Sequence, residues 1–233
     1  MKKIIITGVT GQDGSHMADY LLNLLSNELG KSDYMIYGAV RRLSVKNHEN
    51  VLHLEDHPNF KLINMDLNDA HSMRDVIIDT QPDYFINFAA QSFVAGSWDY
   101  PIQTWDTDAD ILESIRRFAP KCRFYNAGSS EEFGDVVYTP QNEEHPLRPQ
   151  SPYGAAKCAA RHIVRVYRES YDLYAIQGWL FNHEGSRRGL DFVTRKTTNG
   201  VAKIKVALEN GSDIPVLSLG NIEAKRDWSD AED

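Results

Sequence analysis

Three short constellations in this chain have the residue types and spacing to work as one site. Tyr153-Gly-Ala-Ala-Lys157 puts a phenol and an ammonium one turn apart on the same face of any helix that starts near Ser151. A phenol, with an ordinary pKa of about 10, becomes a usable base near neutral pH only when a neighbouring cation favours its ionised form. Ser129-Ser-Glu131 adds a hydroxyl and a carboxylate that can move a second proton. Gly8-Val-Thr-Gly11-Gln-Asp-Gly14 supplies a sharp turn where backbone N–H groups at a helix start can receive a pyrophosphate. The chemistry implied is oxidation at an alcohol carbon, coupled to proton transfer, over a bound dinucleotide. A Tyr-x-x-x-Lys spacing alone arises by chance in many helices, and its weight here comes from the other two groups.

These residues need elements to hold them. Lys3–Thr7 is a short β-branched run that leads at once into the glycines, and Met17, Tyr20, Leu21, Leu24 and Leu25 then recur at helical spacing, which reads as strand, turn, helix. Further apolar runs at Tyr34–Val40, Phe60–Met65, Asp83–Ala89, Arg123–Ala127 and Leu173–Leu180 read as strands. Helical patterns at Gly14–Leu25, Ala70–Asp79, Asp106–Phe118 and Pro152–Tyr171 separate them. Alternating strands and helices predict an α/β fold with a doubly wound parallel sheet, whose ligands bind at the carboxyl ends of the strands. Every candidate within this alternation follows a predicted strand. From Phe181 to Asp233 the pattern is less regular, with a helix near Phe192–Leu208 and a short strand near Val216–Leu219.

Bulk properties narrow the function class. With 233 residues, 42% of them hydrophobic, the chain can bury a full core, read as one α/β domain over 1–180 and part of a second over 181–233. No apolar run approaches the roughly 18 residues of a membrane span, and the N-terminal Met-Lys-Lys with three isoleucines is too short for a signal-peptide core, so a cytoplasmic location is expected. Cys122 and Cys158 lack metal-ligand or disulfide spacing and read as buried thiols; no metal site is expected. A net charge of −8 argues against nucleic acid as a partner.

The cofactor can be read further. After the second predicted strand stand Arg41 and Arg42, where an NAD enzyme usually carries an acid, and guanidinium groups there suit the 2′-phosphate of NADP. Asp66 and Leu67, after the third strand, are placed to meet the adenine. Phe88, Ala89, Ala90, Gln91 and Ser92, after the fourth, offer small residues along the cofactor's path. Gly8, Thr10, Gly11, Gln12, Asp13 and Gly14 form its pyrophosphate turn.

The spacing Gly-x-x-Gly-x-x-Gly is the variant found in short-chain dehydrogenase/reductase proteins. Together with Ser129-Ser-Glu131, Arg148-Pro-Gln-Ser-Pro-Tyr153, Phe181-Asn-His-Glu184, Arg187-Arg-Gly189, Phe192-Val-Thr-Arg-Lys196 and Arg226-Asp-Trp228, it resembles the GDP-mannose 4,6-dehydratase family, a Rossmann-fold group of extended members. Related epimerases and decarboxylases tend to carry Tyr-Gly-Pro where this chain has His183-Glu184-Gly185.

The resemblance implies that Tyr153 removes the proton of the sugar 4-hydroxyl as hydride passes from C4 to NADP. Glu131 then takes the now acidic C5 proton and helps expel the 6-hydroxyl as water, and hydride returns to C6. It further implies that Lys157 bridges the nicotinamide ribose, that Ser129 binds the reacting hydroxyl, and that His183 and Arg188 contact the cofactor. Ser92, Asn182, Arg187, Lys196 and Arg226 become candidates for the GDP-mannose substrate, and a homodimer or homotetramer is the expected assembly. Ser129 stands where the family usually has Thr, and Gln103 replaces an expected Tyr. Between Pro101 and Ile115 the chain is shorter than the family pattern by about one helical turn. Family members continue well past the position of Asp233, so the resemblance makes 181–233 a smaller, truncated substrate-binding region. Two rival readings stay open at this point: another nucleotide-sugar epimerase or decarboxylase, and an inactive cofactor-binding protein.

Overall fold

A computed structural model describes residues 1–28, 33–90, 94, 96–99 and 107–233. The chain divides into two compact units, Met1–Leu180 and Phe181–Asp233. In the first unit the order is β1 (Lys2–Thr7), α1 (Gln12–Glu28), β2 (Tyr34–Val40), β3 (Phe60–Asn64), α2 (Ala70–Thr80), β4 (Tyr84–Asn87), α3 (Gly96–Asp99), α4 (Thr107–Phe118), β5 (Arg123–Ala127), α5 (Pro152–Tyr171) and β6 (Ala175–Gly178). The six strands form one sheet in the order β3-β2-β1-β4-β5-β6, and every pair is parallel. This is the doubly wound arrangement expected from the alternation of elements, with the switch point between β1 and β4.

Strand β1 shows why both faces must be covered. Its isoleucines alternate, so Ile4 and Ile6 join one core with Leu22 of α1 and Val51 and Leu54 of the 3-10 helix Glu49–Leu54. Ile5 points the other way, into a core with Met73 and Ile77 of α2, Ile111, Leu112 and Ile115 of α4, and Val164 of α5. Each such fully buried side chain contributes about 1.5–3 kcal/mol, which fixes β1 at the centre of the sheet.

Helix ends are set by local chemistry. Ser151 caps α5 by accepting from the Gly154 N–H at 3.0 Å, and Pro152 occupies the first turn, where its missing N–H costs nothing. The Asp69 side chain accepts from the His71 N–H at 3.0 Å and starts α2. Strands β4 and β6 are shorter than the apolar runs Asp83–Ala89 and Leu173–Leu180, because the residues past Asn87 and Gly178 leave the ladder at its carboxyl edge. Helix α1 begins at Gln12, ahead of the expected Gly14. Asp106, the expected first residue of the helix observed as α4, and Gln103 lie outside the described residues.

The second unit contains β7 (Asn182–Glu184), α6 (Val193–Asn210) and β8 (Trp228–Asp230), with β7 and β8 paired in parallel. The strand expected at Val216–Leu219 does not form. Leu217 instead lies over Gly200 of α6, where the missing side chain leaves room for it, while Val216 is exposed. The apolar spacing is thus met by packing on a helix. No helix among the described residues is long and apolar enough to cross a membrane.

Candidate active site

The glycine turn is built by close approach. Gly8 has φ +65°, and a Cβ there would sit 2.8 Å from the Ala89 nitrogen and 2.9 Å from the Phe88 carbonyl carbon. A Cβ on Gly14 would lie 2.7 Å from the Gly8 carbonyl carbon. The Gly11 N–H closes the turn on the Gly8 carbonyl at 2.9 Å, and the Ser15 N–H then bonds Gly11. The turn therefore brings the β1 end, the α1 start and the β4 end together with no side chain between them. Asn50 Nδ2 donates to the Thr10 carbonyl at 2.9 Å and ties the segment after β2 to the same turn.

Over this turn opens a cavity of about 450 Å³. Of the residues expected to hold a cofactor, Gly8, Thr10, Gly11, Arg41, Asp66, Leu67, Phe88, Ala89, Ala90 and Lys157 line it, and Tyr153 lines it too. Gln12, Asp13 and Gly14 do not: Gln12 and Gly14 are buried in the first turn of α1, where Gly14 serves the close packing on Gly8. Arg42 is exposed and does not line the cavity, so the two arginines are not equivalent. Gln91 and Ser92 lie outside the described residues. Asn47 and His48 also line the cavity, as do Ala156, Ala160 and Ile163 on the face of α5 that carries Tyr153 and Lys157. The three α5 residues continue the Tyr153–Lys157 spacing at helical steps, a signal the sequence carried. For Asn47 and His48, in an exposed polar segment, no periodicity marked them.

The cavity's composition fits a dinucleotide: a backbone cradle that a Cβ would fill, an arginine and an aspartate just past neighbouring strand ends, and a buried lysine on the α5 wall.

Lys157 and Tyr153 lie together on this wall, both buried, with Nζ 5.9 Å from the phenol ring centroid. The Lys157 ammonium donates to the Ala127 carbonyl at 2.6 Å, which anchors α5 to the last residue of β5. The Tyr153 N–H donates to Ser97 Oγ at 3.3 Å, joining α5 to α3. Beyond β5 the chain makes a 3-10 turn, Ser130–Glu132. Ser129 caps it, accepting from the Glu131 N–H at 3.2 Å, and the Glu132 carboxylate reaches back to the Ser129 N–H at 2.8 Å. The Ser129 hydroxyl proton is not used in its bond with Glu131. A Cβ on Gly154 would lie 2.5 Å from the Glu131 carbonyl oxygen, so this turn sits directly on the first turn of α5. Ser129 and Glu131 do not line the cavity itself; they stand at the carboxyl end of β5, on the turn packed against the helix that carries Tyr153.

Burial pushes the Cys122 thiol up to about 12 and the Cys158 thiol to about 11, so both are inert near neutral pH. Among the described residues no group of His, Cys, Asp and Glu is arranged to hold a metal ion.

The remaining candidates belong to the second unit. Arg188 pairs with Glu184 at 3.2 Å and lies 3.5 Å over the Phe192 ring, and Thr194 also bonds Glu184. His183 Nδ1 is 2.6 Å from the Phe181 carbonyl oxygen. Asn182 sits in β7 and Arg187 is half-buried, whereas Lys196 on α6 and Arg226 are exposed.

Known proteins resemble the chain over its whole length. The family described as GDP-mannose 4,6 dehydratase matches residues 5–233. A GDP-mannose 4,6-dehydratase of Vibrio cholerae is 43% identical over 243 residues, covering 100% of this chain and 62% of the relative. The GDP-mannose 4,6 dehydratase of Homo sapiens is 40% identical over 241 residues, covering 98% of the chain and 61% of the relative. This chain therefore spans a little over three-fifths of their length. Among solved structures, a dTDP-glucose 4,6-dehydratase from Streptomyces venezuelae with NAD and TYD bound superposes with a TM-score of 0.81 at 20% identity, over 99% of this chain and 68% of that one. The Bacillus anthracis dTDP-glucose 4,6-dehydratase in complex with NAD gives 0.77 at 24% identity, over 99% and 68%. At such identities the structures establish the shared fold.

Proposed function

Since this chain belongs to the GDP-mannose 4,6-dehydratase family, we propose that its site serves the conversion of GDP-mannose to GDP-4-keto-6-deoxymannose and water. One observation carries the reading: the turn bearing Ser129 and Glu131 packs on the helix whose Tyr153 and Lys157 line the same cavity as the glycine turn. A base for an alcohol and a separate carboxylate for a carbon acid are the two proton-transfer groups this dehydration needs.

In this reading residues 1–180 hold NADP and the catalytic groups, and 181–233 supply part of the nucleotide-sugar site. Gly8, Gly11 and Thr10 cradle the pyrophosphate, Asp66 and Leu67 face the adenine, and Arg41 meets the 2′-phosphate. When bound, the nicotinamide supplies an acceptor, and then a donor, of hydride. Tyr153 takes the 4-hydroxyl proton, with the Lys157 ammonium 5.9 Å from its ring centroid. Ser129, capped on its acceptor side by the Glu131 N–H, turns its own O–H toward the reacting oxygen. Glu131 takes the C5 proton once C4 is a carbonyl, then returns a proton to the leaving 6-hydroxyl. His183 and Arg188 are assigned to the cofactor, and Ser92, Asn182, Arg187, Lys196 and Arg226 to GDP-mannose. A cytosolic homodimer or homotetramer belongs to the same reading.

The deciding experiment is incubation of the purified chain with GDP-mannose and NADP, followed by mass spectrometry. Loss of one water supports the proposal, and a product of unchanged mass would favour an epimerase. An unreacted sugar with NADP bound would overturn it for this chain.

Cofactor choice gives a second result. NADP is expected to bind more tightly than NAD by about 1–3 kcal/mol, the scale of hydrogen bonds to charged groups. Because only Arg41 lines the cavity, Arg41→Ala should remove most of that preference and Arg42→Ala much less, as read by calorimetry. Equal affinities of the unmodified protein for the two cofactors would refute it.

A further inference from the structure

Directly behind the proposed elimination base lies a carboxylate that the mechanism does not use. Glu132 is fully buried, and the donors around it come from the turn after β5, from α5 and from the end of β6. Its Oε1 accepts from the Ser129 N–H at 2.8 Å and from Gln177 Nε2 at 2.9 Å. Oε2 accepts from Trp179 Nε1 at 3.0 Å and forms an ion pair with Arg161 Nε. Arg161 in turn lies 3.7 Å over the Trp179 ring and donates to the Gln177 and Gly178 carbonyls at 3.2 and 3.3 Å. One side chain thus fastens the turn after β5 to α5 and to the end of β6.

The same carboxylate ends a row of buried and half-buried side chains that runs across four strands of the sheet. Thr7, Asn87, Asn126 and Gln177 are register partners on β1, β4, β5 and β6. The Ala89 N–H donates to Thr7 Oγ1 at 3.1 Å, and Thr7 donates to Asn87 Oδ1. Asn87 Nδ2 donates to Asn126 Oδ1 at 2.8 Å, and Asn126 Nδ2 to Gln177 Oε1 at 2.8 Å. Gln177 then donates to Glu132. All donors run in one direction, from a residue lining the cofactor cavity toward Glu132. The row ends on two acceptors, because Gln177 Nε2 donates both to Glu132 and to the Lys157 carbonyl at 3.1 Å, and the acceptor-only carboxylate fits that end without competing donors.

We propose that Glu132 is the positioning residue for Glu131. It holds the Ser129–Glu131 turn in register with Tyr153 on one side and, through the polar row, with the cofactor cavity on the other. The inference rests on the reading above that Glu131 removes the C5 proton. Glu132→Gln keeps the volume but turns an NH₂ group toward donors, so the turn shifts. Displacement of about an ångström at a reacting group costs up to about 100-fold, and it falls on the step that uses Glu131.

The test is single-turnover absorbance of NADPH with GDP-mannose and NADP. In Glu132→Gln the rise, which reports oxidation by way of Tyr153, should stay within about threefold of the unmodified rate, while the decay, which needs Glu131, should slow about 10- to 100-fold. Hydrogen exchange should quicken at amides 129–131 and not in β2 or β3. The double variant Glu132→Gln/Arg161→Gln removes both members of the ion pair, so that neither charge is left without its partner; its unfolding midpoint should recover while its decay stays slow. Equal slowing of rise and decay, or full kinetic recovery in the double variant, would show that Glu132 only stabilises the fold and would overturn the inference. An unchanged decay in Glu132→Gln would also overturn it, leaving the function itself standing. Absence of any NADPH signal in the unmodified protein would instead sink the dehydratase reading, and this inference with it.

Discussion

Tyr153→Phe is expected to leave no detectable NADPH and no keto sugar, whereas Glu131→Gln should produce NADPH that persists. The order of events forces the difference. The C5 proton becomes removable only after C4 is a carbonyl, so a protein without the Glu131 base can complete the oxidation and then stalls. A protein without the Tyr153 base cannot begin. Loss of a general base typically costs about 100- to 10,000-fold, enough for single-turnover absorbance to separate the two curves. In the proposed reading the two roles fall on different elements, since Tyr153 lines the cavity beside Lys157 while Glu131 stands on the adjoining 3-10 turn. If both variants stay flat, Glu131 is not a dedicated elimination base. Product formation by Glu131→Gln at the unmodified rate would remove the central residue of the assignment.

The second large effect concerns backbone approach. Gly8→Ala and Gly211→Ala both place a side chain on a residue with left-handed φ, +65° and +64°. That strain alone costs about 1–2 kcal/mol. At Gly211 nothing lies within 4 Å, so Gly211→Ala should cost no more than this. At Gly8 the new methyl would also press on Ala89 and Phe88, at 2.8 and 2.9 Å, and neither is a flexible side-chain end. Backbone must move, separating β1 from β4 at the floor of the cavity. Gly8→Ala is therefore expected to destabilise by about 3 kcal/mol or more, and to weaken NADP binding at least tenfold, since the cradle itself is displaced. Urea unfolding and calorimetry read both quantities. A Gly8→Ala protein no less stable than Gly211→Ala would mean that the close approach of the two strand ends is not a constraint.

What the amino-acid sequence determined by itself was whatever depends on short-range periodicity and capping. The β-branched run Lys3–Thr7 before three glycines, and Ser151-Pro152 before an apolar-periodic stretch, are local signals, and β1, α1 and α5 form where those signals lie. Tyr153 and Lys157 share a face for the same reason: helical geometry converts their spacing directly into proximity. The parallel sheet was legible in the alternation of elements, since a crossover that carries the chain back along the sheet returns the next strand in the same direction, as the helices do and as the 3-10 helix Glu49–Leu54 does between β2 and β3.

Tertiary structure decided the rest. Arg41 and Arg42 are chemically alike and adjacent, and only the folded course of the chain after β2 puts Arg41, and not Arg42, on the cavity wall. Val216–Leu219 has the alternation of a strand, but a strand needs a partner, and Leu217 found the bare surface of Gly200 on α6 instead. The paired segments Asn182–Glu184 and Trp228–Asp230 are each too short to carry a periodic signal, and their pairing spans a long stretch of sequence. The polar row from Thr7 to Glu132 is the clearest case. Its members come from four strands and a turn, and each polar residue alone reads as an ordinary strand-end group. Only the sheet register, fixed by how the two apolar cores pack on either face of β1, sets them side by side.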